Sequence, residues 1–253
     1  MKDLDAEKKI AVLIDAENTQ YSMLDAILVE LSKHGHILVK RGYGDFSSTH
    51  LKNWKQPLNE LAITPVQQFS YTQGKNSSDA AMIIDAMDLL YSDKFDAFAL
   101  VSSDSDFTKL ASRLRESQIY VFGVGKSTTP LAFKNACDDF ISIEVLQKIE
   151  SVDSVDNAES KEKNVAPVRK SKAELCCDTR LVNILRNAIS ENADDDGWAD
   201  LGSCGQLIKR QYPDFDPRTY GYASLTKLIE VMELFLIDRR LHGSGKAQQV
   251  YVK

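Results

Sequence analysis

The sequence predicts two domains: a three-layer α/β/α domain on a mostly parallel sheet, then a small helical domain closed by a hairpin. Three observations carry this prediction. Strand-like and helix-like runs alternate from Lys8 to about Glu144. A polar, charged stretch beginning near Glu150 breaks the alternation. Helical periodicity then resumes and ends in two strand-like runs around a glycine-containing turn.

The elements follow in order. Lys8–Asp15 (KKIAVLID) is a short apolar run of β-branched and aliphatic residues, suited to a buried strand. Met23, Leu24, Ile27, Leu28 and Leu31 form a helical stripe that ends near Gly35. HILVKRGYG predicts a second strand, Thr49–Ala62 a helix disturbed by Pro57, and VQQFSY a weaker third strand. Ser77 or Ser78 caps a helix carrying Ala80, Met82, Ile83, Ala86, Met87 and Leu90. FDAFALVS, QIYVFGVG and DDFISIE predict three more strands. A helix over Phe107–Glu116 and another starting at Thr129–Pro130, with proline in its first position, separate them. Such alternation gives parallel strands with helices on both faces, and ligands then bind outside the carboxyl ends of the strands.

Residues 150–173 contain almost no large apolar side chain and predict a flexible linker. Beyond it, Leu181, Ile184, Leu185, Ala188 and Ile189 form one stripe, and Leu201–Gln211 a second helix. Asp216–Pro217 predicts the cap of a third helix carrying Leu225, Leu228 and Ile229. Three helices and a terminal hairpin describe a winged helix. Trp198 and Tyr222 read as core residues.

The chain of 253 residues carries a net charge of −6, which argues against a protein that simply coats nucleic acid by neutralising phosphates. An acidic balance is compatible with carboxylates that hold divalent cations. No apolar run approaches the length of a membrane span, and the charged N-terminus lacks the pattern of a secretory signal, so a cytoplasmic protein is expected. The four cysteines have no CxxC pair or histidine spacing and read as reduced thiols. The four histidines, His34, His36, His50 and His242, lie outside every motif and read as surface residues.

The chemistry-bearing pattern is a set of carboxylates at predicted strand ends. Asp15 closes the first strand, and Asp104 and Asp106 follow the FALVS strand in SSDSD. Asp79 stands in the first turn of the Ser77 helix, which opens at the same end of the sheet. Each alone is an ordinary turn residue or helix cap. Together they repel one another unless protonated or bridged, and hard oxygen ligands of this kind suit Mg²⁺ or Mn²⁺. Such ions support phosphodiester hydrolysis without a nucleophilic side chain. Dinucleotide and P-loop sites are excluded, because the loop after the first strand reads DAENTQ. An aspartyl-phosphate phosphatase of the haloacid dehalogenase type needs Asp where Glu17 stands.

VLIDAEN (Val12–Asn18), GKNSSDAAMIIDA (Gly74–Ala86), ALVSSDSDF (Ala99–Phe107) and YVFGVG (Tyr120–Gly125) resemble the successive motifs of NYN domains, within the PIN-like nuclease superfamily. The first motif departs mildly, with DAEN where many relatives have glycine after the aspartate. The resemblance implies a PIN-like fold and Mg²⁺- or Mn²⁺-dependent endoribonuclease activity. By motif position it places metal-binding and catalytic roles on Asp15, Asp79, Asp104 and Asp106, with Asn18 in support. Ser102 and Ser103 line the same turn within reach of RNA, and Lys75 contacts phosphate.

Gly197–Glu230, with its DFDPRTYGY run, resembles the OST-HTH (LOTUS) domain, a winged helix that in other proteins binds RNA, including G-rich and G-quadruplex RNA. An extended form with a further helix binds a DEAD-box helicase. The given sequence stops at the wing strand and reads as the minimal, RNA-binding form. Arg218, Tyr220 and Lys227 around the third helix, and Arg239, Arg240 and Lys246 beside the wing turn, suit single-stranded or structured RNA through phosphate contact and base stacking. The expected domains are therefore 1–149, an NYN nuclease domain, and 174–253, an RNA-binding winged helix. A catalytically silent RNA-binding adaptor is the alternative, a DNA nuclease a third reading, and homo-oligomerisation is left open.

Overall fold

The computed structural model describes residues 7–69, 77–146, 169–241 and 248–253. The chain divides into two compact units with the boundary between Ala158 and Glu159.

In the first unit six parallel strands lie in the order β3-β2-β1-β4-β5-β6. They are β1 (Lys9–Asp15), β2 (His36–Gly44), β3 (Thr64–Gln67), β4 (Ala97–Val101), β5 (Tyr120–Gly125) and β6 (Asp139–Ser142). The helices between them are α1 (Leu24–Ser32), α2 (Lys55–Glu60), α3 (Ser77–Tyr91), α4 (Thr108–Glu116) and α5 (Leu131–Ala136). β1 and β4 are buried almost throughout because helices cover both faces of the sheet. Ile10, Val12 and Ile14 pack with Leu24, Ile27 and Leu31 of α1 on one face. Ala11 and Leu13 pack on the other with Met82 and Ala86 of α3, Leu110 and Leu114 of α4, and Phe133 of α5. Strand order reverses between β1 and β4, which are direct neighbours, so the crevice where such sheets bind ligands opens between their carboxyl ends.

The structure departs from the sequence expectations in several places. Thr49–Ala62 is no single helix but a 3₁₀ turn, Lys52–Trp54, leading into α2, with Pro57 in the first turn of α2, where it removes no helical hydrogen bond. β3 begins earlier than expected, at Thr64, and tolerates Pro65 because it is an edge strand. It also ends earlier: Gln68 and Phe69 are not strand, and Ser70 and Tyr71, the rest of the expected span, lie outside the described residues. Pro130 caps α5 rather than occupying its first turn. His34 and His36 are half-buried, His34 against the Phe122 ring at 4.9 Å, and His36 bonds Glu7 at 3.0 Å. His50 is exposed, and His242 lies outside the described residues.

The second unit comprises α6 (Lys172–Cys177), α7 (Thr179–Asn192), α8 (Leu201–Gln211) and α9 (Leu225–Met232), with a three-stranded antiparallel sheet. That sheet runs β7-β9-β8, where β7 is Ala199–Asp200, β8 Ile237–Leu241 and β9 Gln248–Val252. Its core is Leu181, Leu185, Ala188, Ile208, Leu228 and Val252. Most of the expected linker lies outside the described residues, and its last residues instead open α6, where Ser171 and Glu174 close a capping box. Asp216 caps only a 3₁₀ turn, Pro217–Tyr220, while Ser224 caps α9. Among the described residues no helix is long and apolar enough to cross a membrane.

Candidate active site

Three elements deliver carboxylates to the crevice between β1 and β4. β4 ends at Val101, and the chain turns at once through Ser102 and Ser103 into a 3₁₀ turn, Ser105–Phe107. Asp104 caps that turn, its Oδ1 accepting the Asp106 N–H at 2.9 Å, so the two carboxylates are held in one tight turn. Asp79 arrives from the first turn of α3. Asp79, Asp104 and Asp106 each offer an oxygen within 4.8 Å of the others.

Asp15 stands beside this trio but is occupied differently. Its side chain is fully buried, Oδ1 accepting from the Glu17 and Asn18 backbone N–H groups (3.1 and 3.3 Å). Oδ2 accepts from Asn18 Nδ2 at 2.8 Å and from the Ser102 hydroxyl at 2.7 Å. Ser102 Oγ in turn accepts the Asp104 N–H at 3.0 Å, so Asp15 fixes the start of the acidic turn through Ser102. Asn18, expected in support, holds Asp15 directly. Ser102 is itself buried and turned toward Asp15. Ser103 is half-buried, and its Oγ accepts the Lys126 N–H at 2.9 Å. Lys75 lies outside the described residues.

The electrostatics of the trio are unbalanced. The Asp79 carboxyl is pushed up to about 6 by burial and then by the negative charges of Asp15, Asp104, Glu17 and Asp106. Exposed Glu17 thus adds to the field, a role that its place two residues past Asp15 in the sequence does not by itself signal. The donor set is all carboxylate oxygen, with excess negative charge in a crevice, and fits a hard divalent cation such as Mg²⁺ or Mn²⁺. Gly125, at the end of β5, presses on the same turn: a β-carbon there would lie 2.6 Å from the Ser102 carbonyl oxygen and 2.9 Å from Thr129 Oγ1.

An NYN domain matches residues 9–144, more than half of the sequence. The chain belongs to the NYN domain family. NYN domains are part of the PIN-like nuclease superfamily, and the six-stranded parallel sheet with helices on both faces is that fold. An OST-HTH/LOTUS domain matches residues 176–247. No curated protein matches the sequence. Among solved structures, one similar to the chain is a protein of unknown function from Vibrio parahaemolyticus. It is 18% identical, with a TM-score of 0.47, over 56% of this chain and 96% of that one. Another is an uncharacterized protein from Nitrosomonas europaea, 28% identical with a TM-score of 0.28, over 39% of this chain and 90% of that one.

In the LOTUS unit the expected RNA contacts are largely engaged by neighbours. Arg218 is held by Asp216 through Nε (2.9 and 3.1 Å) and Nη2 (2.7 Å). Arg239 pairs with Glu230. Arg240 bonds Asp238 at 2.8 Å and lies over the Tyr251 and Trp198 rings, 4.3 and 5.4 Å from their centroids. Trp198 is therefore a half-buried partner of that guanidinium rather than a core residue. Tyr220 is half-buried against Phe215, with Lys170 Nζ 4.9 Å from its ring centroid. Tyr222 is buried and donates its hydroxyl to the Lys170 carbonyl at 2.7 Å. Lys227 is exposed, and Lys246 lies outside the described residues.

Proposed function

We propose that this chain is a metal-dependent endoribonuclease whose LOTUS domain brings RNA to the NYN domain. The observation that carries the proposal is the meeting of Asp79, Asp104 and Asp106 at the strand-order reversal, with Asp79 raised by burial and then by the neighbouring negative charges. These three would hold Mg²⁺ or Mn²⁺, and a bound divalent ion supplies a water of lowered pKa and charge stabilisation for phosphodiester hydrolysis. Asp15, Asn18 and Ser102 have a supporting part: they fix the turn that presents Asp104 and Asp106. Asp15 accepts four hydrogen bonds, from the Glu17 and Asn18 backbone, the Asn18 side chain and Ser102, which suits a residue that positions ligands.

In this reading an NYN domain over 1–149 is joined to the LOTUS domain by a linker that ends before Ser171, the cap of α6. Tethering through a linker of that length gives effective concentrations in the ~mM range, so even weak RNA binding by the LOTUS domain raises occupancy at the crevice. Lys227 is the residue there best placed for phosphate, since Arg218, Arg239 and Arg240 already face carboxylates.

The test is cleavage of end-labelled RNA, with a DNA of the same sequence as competitor. Cleavage of the RNA that needs Mn²⁺ and stops with EDTA is expected. Asp104→Asn should abolish it while RNA binding persists. Cleavage by Asp104→Asn at the wild-type rate refutes the assigned site. RNA binding by the wild type without turnover, across a panel of RNAs in Mn²⁺, favours the adaptor.

A further inference from the structure

One polar network in the NYN domain touches none of the site residues. Asp85, on α3, accepts hydrogen bonds at both carboxylate oxygens: Oδ1 from Arg41 Nη1 and Oδ2 from the Tyr43 hydroxyl. Both donors come from β2, two residues apart and therefore on one face of the strand. Tyr43 is completely buried, and its ring packs in the same cluster as Met82 and Ala86 of α3. Tyr43 is also the residue of β2 that registers with Asp15 of β1, so the network is anchored on the strand beside the site.

Its position matters because of what α3 carries at its start. Asp79 lies six residues before Asp85, roughly 9 Å along one continuous helix. Asp79 offers an oxygen within 4.8 Å of Asp104 and Asp106, so the seat of the first turn of α3 sets the geometry of the trio. Met82 and Ala86 of α3 are fully buried and Ala81, Ile83, Met87, Leu89 and Leu90 half-buried in the same cluster, an apolar anchor without directional contacts. Hydrogen bonds to both oxygens of Asp85 are directional and resist sliding and rotation.

We propose that Asp85, gripped by Arg41 and Tyr43, is a positioning residue that fixes α3 on the sheet so that Asp79 keeps its place against Asp104 and Asp106. This rests on the reading of the aspartate trio as a divalent-cation site. Loss of the grip weakens cation binding through Asp79 alone, leaving the turn of Asp104 and Asp106 untouched.

The test uses the full chain and Mn²⁺, with free ion followed by electron paramagnetic resonance. Asp85→Asn and the milder Tyr43→Phe should each weaken Mn²⁺ binding about 10- to 100-fold, the range seen when groups that orient metal ligands are removed. In an Asp79→Ala background, Asp85→Asn should cause no further loss, because both changes act through the same ligand. Wild-type affinity in both single variants overturns the proposal, as does a loss by Asp85→Asn that adds in full to that of Asp79→Ala. Hydrogen exchange without metal provides a second readout: amides of residues 81–85 should exchange faster in Tyr43→Phe, while β1 and β4 keep their protection. Unchanged exchange there overturns the positioning role even if the wild type binds no Mn²⁺, an outcome that would instead sink the metal-site reading.

Discussion

Replacing Asp79 with asparagine tests the electrostatics of the site against stability, with a sign opposite to that of most buried-residue substitutions. The Asp79 carboxyl is pushed from its ordinary value of 3.8 up to about 6 in the folded, metal-free protein. That difference, about 2 pH units, corresponds to roughly 3 kcal/mol of unfavourable interaction when the group is ionised. Because the folded-state value lies above the unfolded one, the native protein binds more protons between pH 3.8 and about 6. Stability is therefore lost as pH rises through that window. Asparagine cannot ionise, so its stability relative to wild type should improve by up to ~3 kcal/mol between pH 4 and pH 8. With roughly 2–4 °C of melting temperature per kcal/mol for a chain of this size, the shift is about 6–12 °C. The assay is thermal unfolding of both proteins in EDTA at the two pH values. Mn²⁺ at about 1,000 times its dissociation constant should reverse the order at pH 8, since it stabilises the wild type by about 4.1 kcal/mol and the variant binds it more weakly. A difference between variant and wild type that does not change with pH would refute the reasoning.

Ser102→Ala removes a hydrogen bond to the buried Asp15 carboxylate and should lower stability by about 1.5–3 kcal/mol in urea unfolding, with a matching loss of Mn²⁺ affinity. Gly125→Ala places a β-carbon 2.6 Å from the Ser102 carbonyl oxygen, so it should destabilise the fold and reduce cleavage even though alanine is inert. In the LOTUS domain, Lys227→Ala should reduce the slope of log affinity for RNA against log salt by about 1. Arg239→Ala should leave that slope nearly unchanged, because Glu230 already offsets its charge.

Much of the NYN domain was legible because its strands are buried on both faces and so read as near-continuous apolar runs. Strand ends then located Asp15, Asp104 and Asp106, and the neighbour relation of β1 and β4 turned three sequence positions into one crevice. The sequence could not say how the carboxylates divide their work. Whether Asp15 faces a cation or a serine depends on the turn after β4, which folds Ser102 back 2.7 Å from Asp15. Local propensity misplaced elements where context overrides it. The third strand was expected to begin at Val66, yet β3 begins at Thr64 and takes in Pro65, which an edge strand accepts. Asp216–Pro217 carries a strong helix-start signal, yet Gly221, at φ +88°, ends that turn after Tyr220, and Ser224 starts the helix anew. The basic residues of the LOTUS domain looked available because their partners Glu230 and Asp238 are recruited by β8 pairing and helix packing, which composition does not reveal.

The central claim is that Asp79, Asp104 and Asp106 converge, against their mutual repulsion, because they hold a divalent cation. Anomalous scattering from a crystal soaked in Mn²⁺ tests it most directly. A peak within ligand distance, roughly 2.0–2.3 Å, of oxygens from these three aspartates, with Asp15 still held by Asn18 and Ser102, is the predicted result. An empty trio at millimolar Mn²⁺, or a cation bound elsewhere on the chain, would contradict it.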